Sequence, residues 1–220
     1  MCDVRYATSH YSQSHISYLT ISHLKMLFNV FNIPRQNDQP TPSAYQSGLG
    51  NHSLLLTSEL ADLRKTVPAL VAGTVYDFIS FGQWSLMHIL IYILSLTGPA
   101  DVFATTYGLS PDYVRKLVEA KEKGMIRNMT FVMDWKIRTY KAEAWHVAEQ
   151  HFKTRLCSIH AKVTTVINET WGVIIQGSAN YTRNNKIENN IITVDRNRAL
   201  MHAGWITKLQ QEGYGDDNQV

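Results

Sequence analysis

His160 and Lys162 stand two residues apart, the spacing that puts two side chains on one face of a β-strand. The β-branched run Val163–Ile167 reads as the continuation of that strand. Asn168-Glu169-Thr170-Trp171-Gly172 carries turn residues, and Val173–Gln176 runs back as an antiparallel partner. Gly177-Ser178-Ala179-Asn180 then falls at the end of the return strand. The hairpin therefore gathers an imidazole, an ammonium, a hydroxyl and a carboxamide at one end of a sheet. Such a set can bind and attack a phosphate, through a nucleophile or base, a fixed cation and two neutral hydrogen-bonding groups. Each fragment alone is commonplace: most histidines near a lysine are surface or core groups, and Gly-Ser-Ala-Asn is an ordinary turn. Their order carries the reading, bridged by two apolar strands and followed by Ile187-Glu188-Asn189.

His-x-Lys, strand, turn, strand and Gly-Ser-x-Asn together resemble the signature of the phospholipase D superfamily of phosphodiesterases, from Cys157 to about Asp195. Glu188, eight residues past Asn180, matches the acidic residue that supports the catalytic histidine in that family. One position departs. Where the family has Asp five residues after the lysine, this chain has Ile167, followed by Asn168 and Glu169, and its hairpin is longer. The resemblance implies an α/β domain, a mixed, mainly parallel sheet flanked by helices, and metal-independent phosphodiester cleavage with no cofactor. His160 would attack phosphorus and form a phosphohistidine. Lys162 and Asn180 would hold the non-bridging oxygens, and Ser178 would add a hydrogen bond to the phosphate or to the turn. Glu188 would accept the proton on the other imidazole nitrogen and fix the ring.

That scheme needs a second histidine to protonate the leaving group. The chain carries one motif and no internal repeat, so the resemblance implies a homodimer with the site on its two-fold axis. His146, His151 and His202 are the alternatives within the chain, each on a helix pattern that equally suits a surface role. A short, single-motif chain resembles the nuclease branch, which makes DNA or RNA the expected substrate. Tyr181 and Arg183, next to Asn180, would suit a sugar–phosphate backbone, although Tyr181 is as readily a core residue. A phospholipid hydrolase or transferase, and a catalytically silent nucleic-acid-binding or assembly protein, are the other readings.

The elements that must position the hairpin follow from capping and periodicity. Ser110-Pro111-Asp112 is a helix start, with Val114, Leu117 and Val118 on its buried face. Trp84–Leu96 is apolar nearly all round and reads as a central helix closed by Gly98-Pro99. Strands are expected over Leu70–Phe78, Asp101–Tyr107, Met129–Trp135 and Asn190–Val194. Helices are expected over Thr57–Thr66 and Lys141–Lys153, with Trp145, Ala148 and Phe152 inward, and from Asp195 to about Gln211. Alternating strands and helices followed by adjacent strands argue a layered α/β domain.

At 220 residues and 45% hydrophobic, the chain can bury one sizeable core. A net charge of +3 permits an anionic partner without demanding one. Cys2 and Cys157 offer neither a disulfide framework nor a zinc spacing. No export signal follows Met1, and Leu86–Leu96 is too short to cross a bilayer, so a cytoplasmic protein without stable membrane insertion is expected. Domain organisation reads as a loop-rich extension over 1–56, a phospholipase D-like domain over 57–212 and a polar tail over 213–220. The extension suits either a surface segment packed on the domain or an arm for substrate or partner.

Overall fold

Short β-branched runs alternate with capped apolar helices in this chain, and a computed structural model shows them assembled into one mixed sheet. It describes residues 52–54, 63–183 and 185–213. The strands are β1 (His52–Leu54), β2 (Val75–Phe81), β3 (Ala100–Thr106), β4 (Ile126–Asp134), β5 (Lys153–Cys157), β6 (Val163–Ile167), β7 (Gly172–Gly177) and β8 (Ile187–Val194). The helices are α1 (Leu63–Thr66), α2 (Leu86–Thr97), α3 (Pro111–Glu122), α4 (Lys136–Tyr140), α5 (Ala142–His151) and α6 (Arg196–Glu212). Spatial strand order is β1-β2-β8-β7-β6-β3-β4-β5.

The sheet is mixed, as expected, but its neighbours are less often parallel than the sequence suggests. Parallel contacts join β1 to β2, β3 to β4 and β4 to β5. The β2–β8, β8–β7, β7–β6 and β6–β3 contacts are antiparallel. Only β6 and β8 run against the rest, each inserted between strands of the common direction. As a result the C-terminal ends of β2, β3, β4, β5 and β7 share one edge with the starts of β6 and β8. In open α/β sheets that edge is where ligands bind.

Helices cover both faces. Along β4, Phe131 and Met133 point to one face, with Val166, Val173, Ile175 and Ile192 from neighbouring strands. There α2 buries Leu86, Met87, Ile89, Leu90, Ile93 and Leu94, which is why its sequence is apolar on most sides. Ser85 caps α2 in a reciprocal box, accepting from the His88 backbone while His88 Nδ1 accepts from Ser85 N at 3.2 Å. Pro111 opens α3, whose buried face is Tyr113, Val114, Leu117 and Val118. On the opposite face Val132, Val163 and Ile174 meet Ala199 and Ile206 of α6. Asp195 caps that helix through the Arg198 N–H at 3.1 Å.

Four local expectations change. The strand expected over Leu70–Phe78 begins at Val75, after Gly73 turns the chain at a φ of +77°. The helix expected over Lys141–Lys153 is α5, shorter at its end because Phe152 is extended, and a further short helix, α4, precedes it and joins it at Lys141. Lys153–Cys157 forms the edge strand β5, where no strand was expected. His160 and Lys162 lie in the connection before β6 rather than within a strand.

The departure from the family pattern falls at the far edge. Ile167 pairs with Gly172 across the hairpin. Asn168 Oδ1 accepts from the N–H groups of Thr170 at 3.0 Å and Trp171 at 2.8 Å, and its amide donates to the Thr97 carbonyl at 2.9 Å. Asn168 therefore builds the turn, at the opposite end of β6 from His160. His52–Leu54, expected within the extension, forms the edge strand paired with β2. The rest of 1–56, the first half of the helix expected at Thr57–Thr66 and the tail beyond 213 lie outside the described residues. Among the described residues no helix is long and apolar enough to cross a membrane.

Candidate active site

Two buried side chains at the ends of parallel strands hold the loop that carries His160. Asp134, last residue of β4, accepts from the Ile159 N–H through Oδ2 at 3.3 Å and from the Lys136 N–H through Oδ1 at 3.0 Å. Thr105, fully buried on β3, accepts from the Val163 N–H at 3.1 Å and donates to the Ala161 carbonyl at 3.0 Å. Chain on either side of His160 is thus pinned to the sheet, while the imidazole itself is exposed. The Tyr107 ring backs it, with centroids 4.7 Å apart and planes at 58°.

Lys162 tucks beneath the histidine. Its ammonium donates to the His160 carbonyl at 2.7 Å and lies 3.3 Å from Nδ1. The same group sits 5.6 Å from the centre of the Tyr107 ring, a cation–π distance. Only 9% of Lys162 is exposed. Burial pulls its pKa below the usual lysine value, and the charge of Glu188 acts the other way.

Glu188 reaches the same edge from the start of β8 and is itself buried. Gly177 permits β8 to pass close to the end of β7, since a Cβ there would lie 2.2 Å from the Asn189 carbonyl oxygen. Beyond it Ser178 and Asn189 exchange bonds: Ser178 N donates to Asn189 O at 2.9 Å, and Asn189 N donates to Ser178 Oγ at 3.0 Å. The Ser178 hydroxyl donates to the Glu188 carboxylate. Ser80 stands opposite Glu188 across the β2–β8 ladder.

Asn180 is held by backbone on both sides. Leu86 N donates to its carbonyl at 3.2 Å, and the next residue, Tyr181, bridges to Leu109. Its side-chain Oδ1 accepts from Gly108 N at 3.1 Å and from Thr106 Oγ1 at 3.2 Å. A backbone N–H can only donate, which fixes the amide orientation and makes Nδ2 the donor end of the side chain.

His160 and Lys162 are therefore in direct contact, as are Ser178 and Glu188, with Asn180 on the same sheet edge. Lys162 and Glu188 are coupled by charge. The donors gathered there, an ammonium and an amide, suit an anion.

Other candidates from the sequence lie elsewhere. His146 is exposed and meets Glu149 at 3.2 Å. His151 ends α5 beside the start of β5, at the far edge. His202 Nδ1 accepts from Trp205 Nε1 at 2.9 Å, within α6. Tyr181 is a core residue: it is fully buried, packs edge-on against Phe131 at 5.2 Å and shares a 2.7 Å hydrogen bond with Thr164. Burial pushes its hydroxyl well above the usual tyrosine range. Sequence reasoning missed Tyr107, Lys136, Thr105 and Asp134. Their signal was positional, since all four lie at or just past the C-terminal ends of β3 and β4.

No family model and no curated protein matches the chain. Among solved structures it is similar to Nuc, a phospholipase D family member from Salmonella typhimurium, at 22% identity and a TM-score of 0.49, over 64% of this chain and 95% of that one. It is also similar to NucT from Helicobacter pylori, at 16% identity and a TM-score of 0.47, over 64% and 99% of the two chains. A third likeness is to the polyphosphate kinase of Porphyromonas gingivalis, at 13% identity and a TM-score of 0.52, over 92% of this chain and 34% of the kinase. At such identities the likeness is one of fold.

Proposed function

We propose that the chain is a phosphodiesterase of the phospholipase D type, a metal-independent nuclease that cleaves DNA or RNA through a phosphohistidine on His160. The observation that carries the reading is the contact of an exposed His160 with a nearly buried Lys162, at the sheet edge where Ser178, Glu188 and Asn180 also end. A ring nitrogen of His160 forms the bond to phosphorus, and the bond from phosphorus to the leaving oxygen breaks. Lys162 and the Asn180 amide stabilise the charge that grows on the non-bridging oxygens. Ser178 and Glu188 act together, the carboxylate favouring the ammonium of Lys162 and the hydroxyl keeping the carboxylate in place.

The leaving oxygen needs a proton, and a second copy of the chain supplies it. A homodimer that brings two His160 side chains to one phosphate gives one neutral nucleophile and one protonated donor. The donor is left neutral, and as a base it activates the water that cleaves the phosphorus–nitrogen bond and regenerates the enzyme. One neutral and one protonated histidine also make the pH–rate profile bell-shaped.

The test is cleavage of labelled single- and double-stranded oligonucleotides by the full chain in excess EDTA, beside a His160→Ala control. Cleavage that persists in EDTA and disappears in the variant supports the reading. Activity lost in EDTA and restored by a divalent ion contradicts it, as does an active His160→Ala protein.

A further inference from the structure

The segment that leaves β4, Trp135-Lys136-Ile137-Arg138-Thr139-Tyr140-Lys141, has three cations, two large aromatic rings and no acid. Ile137, its one aliphatic residue, is 2% exposed and anchors the short helix α4 to the core. Trp135 and Tyr140 face solvent instead, at 38% and 73% exposure. Large rings left in water beside basic groups call for a ligand with flat apolar faces and negative charge.

This strip joins the site through one lysine. Lys136 Nζ donates to the Tyr107 hydroxyl at 3.1 Å and lies 5.4 Å from the centre of that ring. It is also 5.8 Å from the Trp135 ring. Its pKa is held above the ordinary lysine value, chiefly by Tyr107, with smaller contributions from Asp134 and Tyr140. Tyr107 in turn touches His160 and Lys162. His160, Tyr107, Lys136 and Trp135 thus form an unbroken line from the exposed imidazole to the rim.

We propose that Trp135–Lys141 is the track on which an unpaired nucleic-acid strand enters the site. Trp135 and Tyr140 stack against bases, and Lys136 and Arg138 take the phosphates on either side of the scissile one. The proposal rests on the nuclease reading and narrows its substrate to single strands or unpaired stretches. Base faces are open to stacking only when the base is out of a duplex. A lipid surface is the poorer fit, because an interfacial helix needs an apolar face to bury and the aliphatic side chain here points inward.

The test uses the full-length His160→Ala chain, which binds without cutting, and a short fluorescein-labelled oligothymidine read by anisotropy. The strand is expected to bind at least about tenfold tighter than a duplex of equal length, and Trp135→Ala with Tyr140→Ala to weaken it by about tenfold or more. Trp135→Phe with Tyr140→Phe keeps most of the affinity. Lys136→Met with Arg138→Gln lowers the slope of log affinity against log salt by about 1.4. A thermal melt reports folding, and the exposed Tyr140→Ala alone, with a loss of about fivefold or more, carries the test if the double variant melts early.

Unchanged affinity in the ring variants, or equal affinity for the duplex, overturns the track. So does a ring-dependent affinity for phosphatidylserine vesicles with strand binding unaffected. The wild-type chain is assayed on the same strand in parallel. Ring-dependent binding without cleavage sinks the nuclease reading and leaves the track standing, whereas cleavage indifferent to the rings does the reverse.

Discussion

Thr105→Val probes how the sheet positions the nucleophile. The side chain is fully buried, and its hydroxyl makes two bonds to the loop around His160: it accepts from Val163 N at 3.1 Å and donates to Ala161 O at 3.0 Å. Valine keeps the shape and removes both. One buried donor left without a partner costs about 1–3 kcal/mol, and the carbonyl adds less because it keeps a second lone pair. A loss of about 2 kcal/mol lowers Tm by about 4–8 °C in a domain of this size. The larger effect is expected in catalysis, because the released stretch carries His160 and Lys162 together, and a displacement of about 1 Å costs on the order of 100-fold in rate. Thermal melts and initial rates on a labelled oligonucleotide read the two effects separately. Thr105→Ser, which keeps the hydroxyl, restores most of both. A Thr105→Val protein with wild-type rate and Tm would refute the argument that these bonds set the geometry.

Glu188→Gln retains an acceptor for Ser178 but removes the charge that raises the pKa of Lys162. The ammonium then loses its proton at lower pH, seen as a fall in the Lys162 pKa in an NMR titration of its labelled Nζ; an unmoved lysine pKa would deny the coupling. Gly177→Ala forces a Cβ to 2.2 Å from Asn189 O and 2.8 Å from Asn190 Oδ1. Separating β7 from β8 there costs about 1–3 kcal/mol, measurable by chemical denaturation. Glu169→Gln is the contrasting case. The Arg127 guanidinium holds the Glu169 carboxyl down at about 2. The stability this confers is present above the unfolded carboxylate range and lost as pH falls through about 2. Both partners are exposed, so solvent and salt screen the pair, and Tm at neutral pH is expected to be nearly unchanged.

Local signals were legible and long-range ones were not. Ser110-Pro111 and Asp195 mark the starts of α3 and α6 because capping chemistry is written in a few adjacent residues. The hairpin could be read from its two β-branched arms and the Asn168 turn between them. Strand β5 escaped because Lys153-Thr154-Arg155-Leu156-Cys157 is a largely polar edge strand that follows a helix without a break in pattern. Lys136 and Tyr107 meet across 29 residues, and only the parallel pairing of β3 with β4 brings them together. Glu188 could equally have been a solvated loop residue from sequence, and its burial as the second residue of β8 follows only from the pairing of that strand with its neighbours. Ile167 and Asn168 looked like a defect in the motif, yet they serve the turn at the other end of β6 from His160.

Covalent chemistry at His160 is the most direct test. The wild-type chain would be mixed with an end-labelled oligonucleotide in excess EDTA, quenched at high pH within a single turnover, digested and analysed by mass spectrometry. The expected result is a nucleotide joined through a phosphorus–nitrogen bond to the peptide that contains His160, absent from His160→Ala and lost on further incubation as product appears. Cleavage at full rate with no adduct on that peptide, or with an adduct on another residue, would contradict it.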